Sequence, residues 1–105
     1  MSRFVRSDVW VLLALLYAAK PAPRERIRSG GDYINHAVMT DEELDGGLAR
    51  LMAAEFVSAG PAGWDVVGQA AGLNAEIERA SEATGDHSPR VGLEVVGRFL
   101  GVDNP

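Results

Sequence analysis

Between Thr40 and Val67 the chain reads TDEELDGGLARLMAAEFVSAGPAGWDVV, and this stretch decides the fold. Thr40-Asp41-Glu42-Glu43 is a capping box: the Thr40 hydroxyl can accept from the Glu43 amide while the Glu43 carboxylate reaches back to the Thr40 amide. Leu44, Leu48, Leu51 and Met52 follow as a helical stripe, and the helix is expected to end near Glu55. Phe56-Val57-Ser58 then reads as a short strand, Ala59-Gly60-Pro61-Ala62-Gly63 as turn chemistry, and Trp64-Asp65-Val66-Val67 as the return strand. A capped helix running straight into a hairpin is the predicted centre of the molecule.

Upstream, Val9 to Ala19 (VWVLLALLYAA) is an apolar run, with Ser7 as the expected cap and Asp8 in the first turn, where a negative charge suits the helix dipole. Eleven residues are too few to span a bilayer, which takes about 20. With Arg3 and Arg6 before it the run resembles a secretory signal, but Asp8 abuts it and Tyr17 stands where a cleavage site wants a small residue. The reading taken is a buried helix, stopped by Pro21 and Pro23, in a cytoplasmic protein. Being apolar all round, it must be covered on several sides, in part by a second subunit.

Ile27, Gly31, Ile34 and Val38 recur at helical spacing, so a second helix is expected from Pro23 to about His36, with Gly30 and Gly31 permitting close approach of another backbone or, alternatively, breaking the helix. Tyr33 and Trp64 are expected in the core, and His36 is expected to close the turn before Thr40. Downstream, residues 68–83 read as a fourth helix carrying Leu73, Ile77 and Ala80. Ser88-Pro89 opens a fifth that Gly101 stops, with a Glu94–Arg98 pair on its surface.

The 105 residues carry ten Lys and Arg against fifteen Asp and Glu, a net charge of −5. With 47% hydrophobic residues this is the composition of a globular chain, and the size is that of one domain. No cysteine is present, which excludes disulfides, thiol nucleophiles and thiolate metal sites. His36 and His87 have no second nitrogen ligand at usable spacing, so neither a metal nor a cofactor is expected. No phosphate-cradling loop, nucleophile elbow or ligand cluster occurs, and no enzymatic activity is expected.

The order helix, helix, helix, hairpin resembles the winged helix-turn-helix fold of bacterial transcription regulators. The resemblance rests on Asp41-Glu42-Glu43-Leu44, on Gly47-Leu48-Ala49-Arg50-Leu51-Met52-Ala53-Ala54-Glu55-Phe56-Val57 and on Trp64-Asp65-Val66. Asp32-Tyr33-Ile34-Asn35-His36-Ala37 together with Glu42-Glu43-Leu44 also looks like bacterial winged-helix proteins without an assigned role. It implies a single mainly α domain with a small hairpin over 1–105: a winged core over about 7–70 and two added C-terminal helices over about 68–105. Glu55 departs from the pattern, standing where such sequences usually end the third helix with glycine, and Val67 stands where a threonine often caps the next helix.

Two functions follow. In DNA-binding members of the fold the third helix enters the major groove and the wing touches the backbone, so the resemblance implies a DNA-binding transcription regulator contacting duplex DNA through the second and third helices. Arg24, Arg26, Arg28 and Arg50 are the candidate phosphate contacts. Residues 1–28 favour this, with six cations against Asp8 and Glu25, a net +4 in a chain whose remainder carries −9. Against it, the outward face of the third helix holds Glu42, Glu43, Gly46, Ala49, Arg50 and Ala53, and the wing has no cation. The alternative is a protein-interaction or self-association module, a homodimer with Trp10, Leu15, Gly46, Ala49, Ala53 and Phe99 as candidate interface residues.

Overall fold

The structure is a computed structural model describing residues 3–102. Its elements are α1 (Arg6–Tyr17), α2 (Arg24–Asn35), α3 (Asp41–Ala53), β1 (Val57–Gly60), β2 (Gly63–Val66), a 3-10 turn (Gly68–Gly72), α4 (Leu73–Thr84) and α5 (Pro89–Leu100). Among the described residues it is thus a mainly helical protein with one small antiparallel sheet.

α1 is the central element, and α2, α3, α5 and β2 all pack on it. Val11, Leu12, Leu13, Ala14 and Leu15 have no accessible surface, five residues in a row that together go more than once around the helix. The cover predicted to come partly from a second subunit is supplied by the chain itself. Leu15 (0%) and Trp10 (7%) are therefore core residues, which corrects their assignment to an interface. Each buried leucine contributes about 1.5–3 kcal/mol by leaving water. No helix among the described residues is long and apolar enough to cross a membrane.

The start of α1 differs from expectation. Val5 rather than Ser7 occupies the cap position, and the Asp8 carboxylate accepts from the Val5 amide at 3.0 Å. Its end is closed by Lys20, whose Nζ donates to the carbonyls of Leu15, Leu16 and Ala18, placing a cation on the negative pole of the helix.

α2 is continuous through Ser29-Gly30-Gly31; the close approach to another backbone is present at Gly30, where a Cβ would stand 3.4 Å from the Ala14 carbonyl oxygen, whereas Gly31 meets side chains. A Cβ at Gly31 would stand 3.0 Å from Trp10 Nε1, and that indole nitrogen donates to the Gly31 carbonyl at 2.7 Å. α2 ends at Asn35 because His36 turns left-handed (φ 54°) and its amide returns to Asp32. The His36 backbone, not its imidazole, makes the turn. The helix thus stops before Val38, which is 73% exposed, and the fully buried Met39 takes the core position that periodicity assigned to Val38. Tyr33, expected in the core, is 70% exposed.

The capping box of α3 forms as predicted, with Glu43 N to Thr40 Oγ1 at 3.1 Å and Thr40 N to Glu43 Oε1 at 2.9 Å. Leu44, Leu48 and Leu51 are buried, while Met52 points outward. α3 closes with paired bonds, Phe56 N to Leu51 O and Glu55 N to Met52 O, around a left-handed Glu55 (φ 65°). That is the geometry for which glycine is the usual residue, so the departure noted in the sequence is a non-glycine in a glycine conformation.

The hairpin is tighter than the five-residue loop expected. Gly60 pairs with Gly63, leaving only Pro61 and Ala62 between the strands, and Val57 pairs with Val66. Ala22 adds a further rung, exchanging both backbone bonds with Trp64 at 2.8 Å. Gly63 (φ 137°) makes room for it, since a Cβ there would lie 2.5 Å from the Ala22 carbonyl carbon. The linker between α1 and α2 is thereby tied to the hairpin.

The chain after β2 turns through the 3-10 segment, so α4 begins at Leu73 rather than near Gly68. α5 runs as expected from Pro89 to a left-handed Gly101. Its surface pair is Arg90–Glu94 (3.6 Å) rather than Glu94–Arg98. Phe4, Phe56 and Phe99 form an aromatic row, with centroids 6.0 and 4.8 Å apart. Phe99 is a half-buried part of this row.

Candidate nucleic-acid interface

The face formed by α2, α3 and the hairpin is where the sequence placed DNA, and its electrostatics follow from which charges pair. Asp41 and Asp45 are one turn apart on α3 and look across to α2, where Arg24 and Arg28 are also one turn apart. Arg24 Nε donates to Asp45 Oδ1 and its Nη2 to Asp41 Oδ1, both at 2.8 Å. Arg28 pairs with Asp41 and also donates to the Met39 carbonyl, at the end of the turn that joins the two helices. Glu25 lies 3.6 Å from Arg24 and 3.7 Å from Arg28. Hydrogen bonds from Arg24 and then Arg28 hold the Asp41 carboxyl below the usual aspartate range, and the Arg24 hydrogen bond does the same for Asp45. Reciprocally, these carboxylates raise Arg24 above the usual arginine value.

Arg50 is drawn inward. Its guanidinium grips the Asp8 carboxylate with two bonds, Nε to Oδ2 at 2.7 Å and Nη2 to Oδ1 at 2.8 Å. Asp8 has no accessible surface, and the hydrogen bond raises Arg50 from its ordinary value. The same guanidinium lies over Gly46, so a Cβ there would be 3.3 Å from Nη2. Gly46 is thus half-covered by its own helix neighbour.

Of the four candidate phosphate contacts, then, Arg24, Arg28 and Arg50 are each committed to carboxylates within the chain. Arg26 is exposed and has no carboxylate partner among the described residues. Residues 24–66 hold four arginines against eight carboxylates. The exposed residues of α3 are Asp41 and Asp45, both paired with α2, and Glu42, Ala49, Met52 and Ala53. The hairpin contributes Asp65 as its sole charge. An acidic helix and an uncharged turn oppose phosphate, and Ala49 and Ala53 carry no hydrogen-bonding group with which to read bases.

The residues that sequence reasoning missed are the acceptors: Asp8, Asp41 and Asp45. A carboxylate at the head of an otherwise apolar helix is a signal that a cation must come to it, and Asp8 carried that signal. No group of three or more His, Asp or Glu that could hold a metal occurs among the described residues.

No family model, curated protein or solved structure matches the chain.

Proposed function

We propose that the chain is a non-enzymatic winged-helix module that self-associates through α3 and does not read duplex DNA. The order of three helices and a hairpin, with Ala22 as a third rung beside Trp64, supports the winged-helix reading. The observation that carries the functional half is the internal pairing of Arg24, Arg28 and Arg50, which leaves α3 acidic where a groove-reading helix needs cations. Ala49 and Ala53 are one turn apart and exposed, with Met52 (46% exposed) beside them. A second α3 laid antiparallel across these small residues approaches closely and keeps the acidic leading ends of the two helices apart. A cytoplasmic homodimer goes with this reading.

Light scattering at high micromolar concentration tests it. A dimer that Ala49→Arg and Ala53→Arg convert to monomer is the expected result, and a monomeric parent chain overturns the reading. The second reading, a DNA-binding regulator, retains of its four candidate contacts only the exposed Arg26, which lies on the side of α2 away from Arg24 and Arg28 and would need a different docking face. Duplex DNA binding at low salt that falls steeply as salt rises, and that Arg26→Glu abolishes, would put it first.

A further inference from the structure

α2 divides its arginines between two faces. At 100° per residue Arg26 lies about 160° around the helix from both Arg24 and Arg28, on the side that carries Ser29, Gly30 and Tyr33. That side faces an open pocket of about 670 Å³ bordered by the C-terminal end of α1, by α4 and by the loop entering α5. The volume is within the range of small-molecule sites, about 300–1,000 Å³.

The lining is unusual for this chain. In a protein of net charge −5 the pocket has no carboxylate among its lining residues, while it does have Arg26, His87 and the phenols of Tyr17 and Tyr33. Burial, with a smaller contribution from Tyr33, pushes the Tyr17 phenol up, so it stays protonated and can donate. Ser81, which is 6% exposed, adds a polar residue to the lining. The remaining wall is apolar, from Ala14, Gly30 and Ile77.

We propose that this pocket binds a small carboxylic acid with a planar apolar body. Its carboxylate pairs with Arg26 and its body lies against Tyr33 and the apolar wall, with the Ser81 hydroxyl as a further polar contact. A guanidinium with no internal partner forms a charge-assisted bond to a carboxylate at no cost to an existing pair. An exposed tyrosine on the pocket rim gains by stacking on a planar group. The site is separate from the exposed face of α3, so it stands or falls independently of self-association.

Two-dimensional amide NMR of the full chain, titrated with benzoate, phenylacetate and cinnamate and with their neutral amides, tests this. Saturable shifts centred on Gly30, Tyr33 and Ser81 are expected for at least one acid, with its amide about tenfold weaker or worse. Arg26→Gln should weaken that acid about tenfold while leaving the rest of the spectrum in place, because the side chain is exposed and makes no internal pair. No saturable shift with any acid, equal binding of acid and amide, shifts centred elsewhere, or unchanged affinity in Arg26→Gln would each overturn the proposal.

Discussion

Replacing Arg50 with methionine removes the guanidinium that reaches Asp8 and keeps most of the side-chain volume. Asp8 then retains one donor, the Val5 amide at 3.0 Å, in a setting where it has no accessible surface and where Val11 and Gly47 adjoin it. Removing one partner of a fully buried pair costs about 3–5 kcal/mol. Here the Arg50 side chain is 38% exposed, so water reaches part of the vacated space and the loss comes to about 2–3 kcal/mol. Against a total stability of about 5–15 kcal/mol that is a large fraction. At about 4–8 °C per kcal/mol for a domain near this size, the unfolding midpoint falls by roughly 8–24 °C. Urea unfolding followed by the fluorescence of Trp10 and Trp64, with circular dichroism alongside, measures it. Adding Asp8→Asn to Arg50→Met removes the stranded charge but keeps an oxygen for the Val5 amide, and should restore about half of the loss. A single-mutant cost under about 1 kcal/mol, or a double mutant no more stable than the single, would refute the view that Asp8 is a buried charge held by Arg50.

Acid sensitivity should trace to the brace between α2 and α3. Asp41 and Asp45 titrate below the ordinary aspartate range, so they contribute stability above the unfolded value and lose it as pH falls through the folded one. The unfolding midpoint should hold near neutrality and decline below about pH 4, with Arg24→Gln flattening that acid limb; an unchanged acid limb in the variant would remove the assignment. Glu55→Gly should stabilise the protein by about 0.5–1 kcal/mol, because it relieves a left-handed non-glycine residue at the end of α3 and gives back part of the gain as unfolded-state entropy. A lower urea midpoint at unchanged slope would mean that the Glu55 side chain holds something the backbone geometry does not reveal.

The legible parts of the fold were those set by neighbours in sequence. The Thr40–Glu43 box, the Pro89 start, the Gly101 stop and the hairpin all depend on residues a few positions apart, and all formed. Residue type puts Tyr33 in the core, but its helical position dissents: it lies about 120° from Ile27, off the stripe of Ile27, Gly31 and Ile34. The apolar period assigns Val38 to the core because it continues past a helix end that only the left-handed His36 reveals. Sequence alone puts Trp10 and Leu15 at a partner surface because no local window shows what covers α1. α2, α3, α5 and β2 do cover it, and that requires long-range packing that no local window contains.

Charge was the least legible property, for a physical reason. A sequence census adds charges, whereas binding depends on which remain unpaired once the helices are placed. Arg24, Arg26 and Arg28 are alternate residues of one basic run, yet helical geometry sends the first and third toward Asp41 and Asp45 and the second to the opposite side. Arg50 sits 42 residues from Asp8, and only the crossing of α1 and α3 joins them. Of the six cations behind the net +4 of the N-terminal segment, Arg24 and Arg28 are taken up by carboxylates of α3 and Lys20 closes α1, so that charge does not gather on the α3 face. Arg24 and Arg28 join α2 to α3, and Arg50 joins α3 to α1. Arg26 escapes that use because it faces away, and this is why the one basic contact left open on α2 belongs to a pocket rather than to the α3 face.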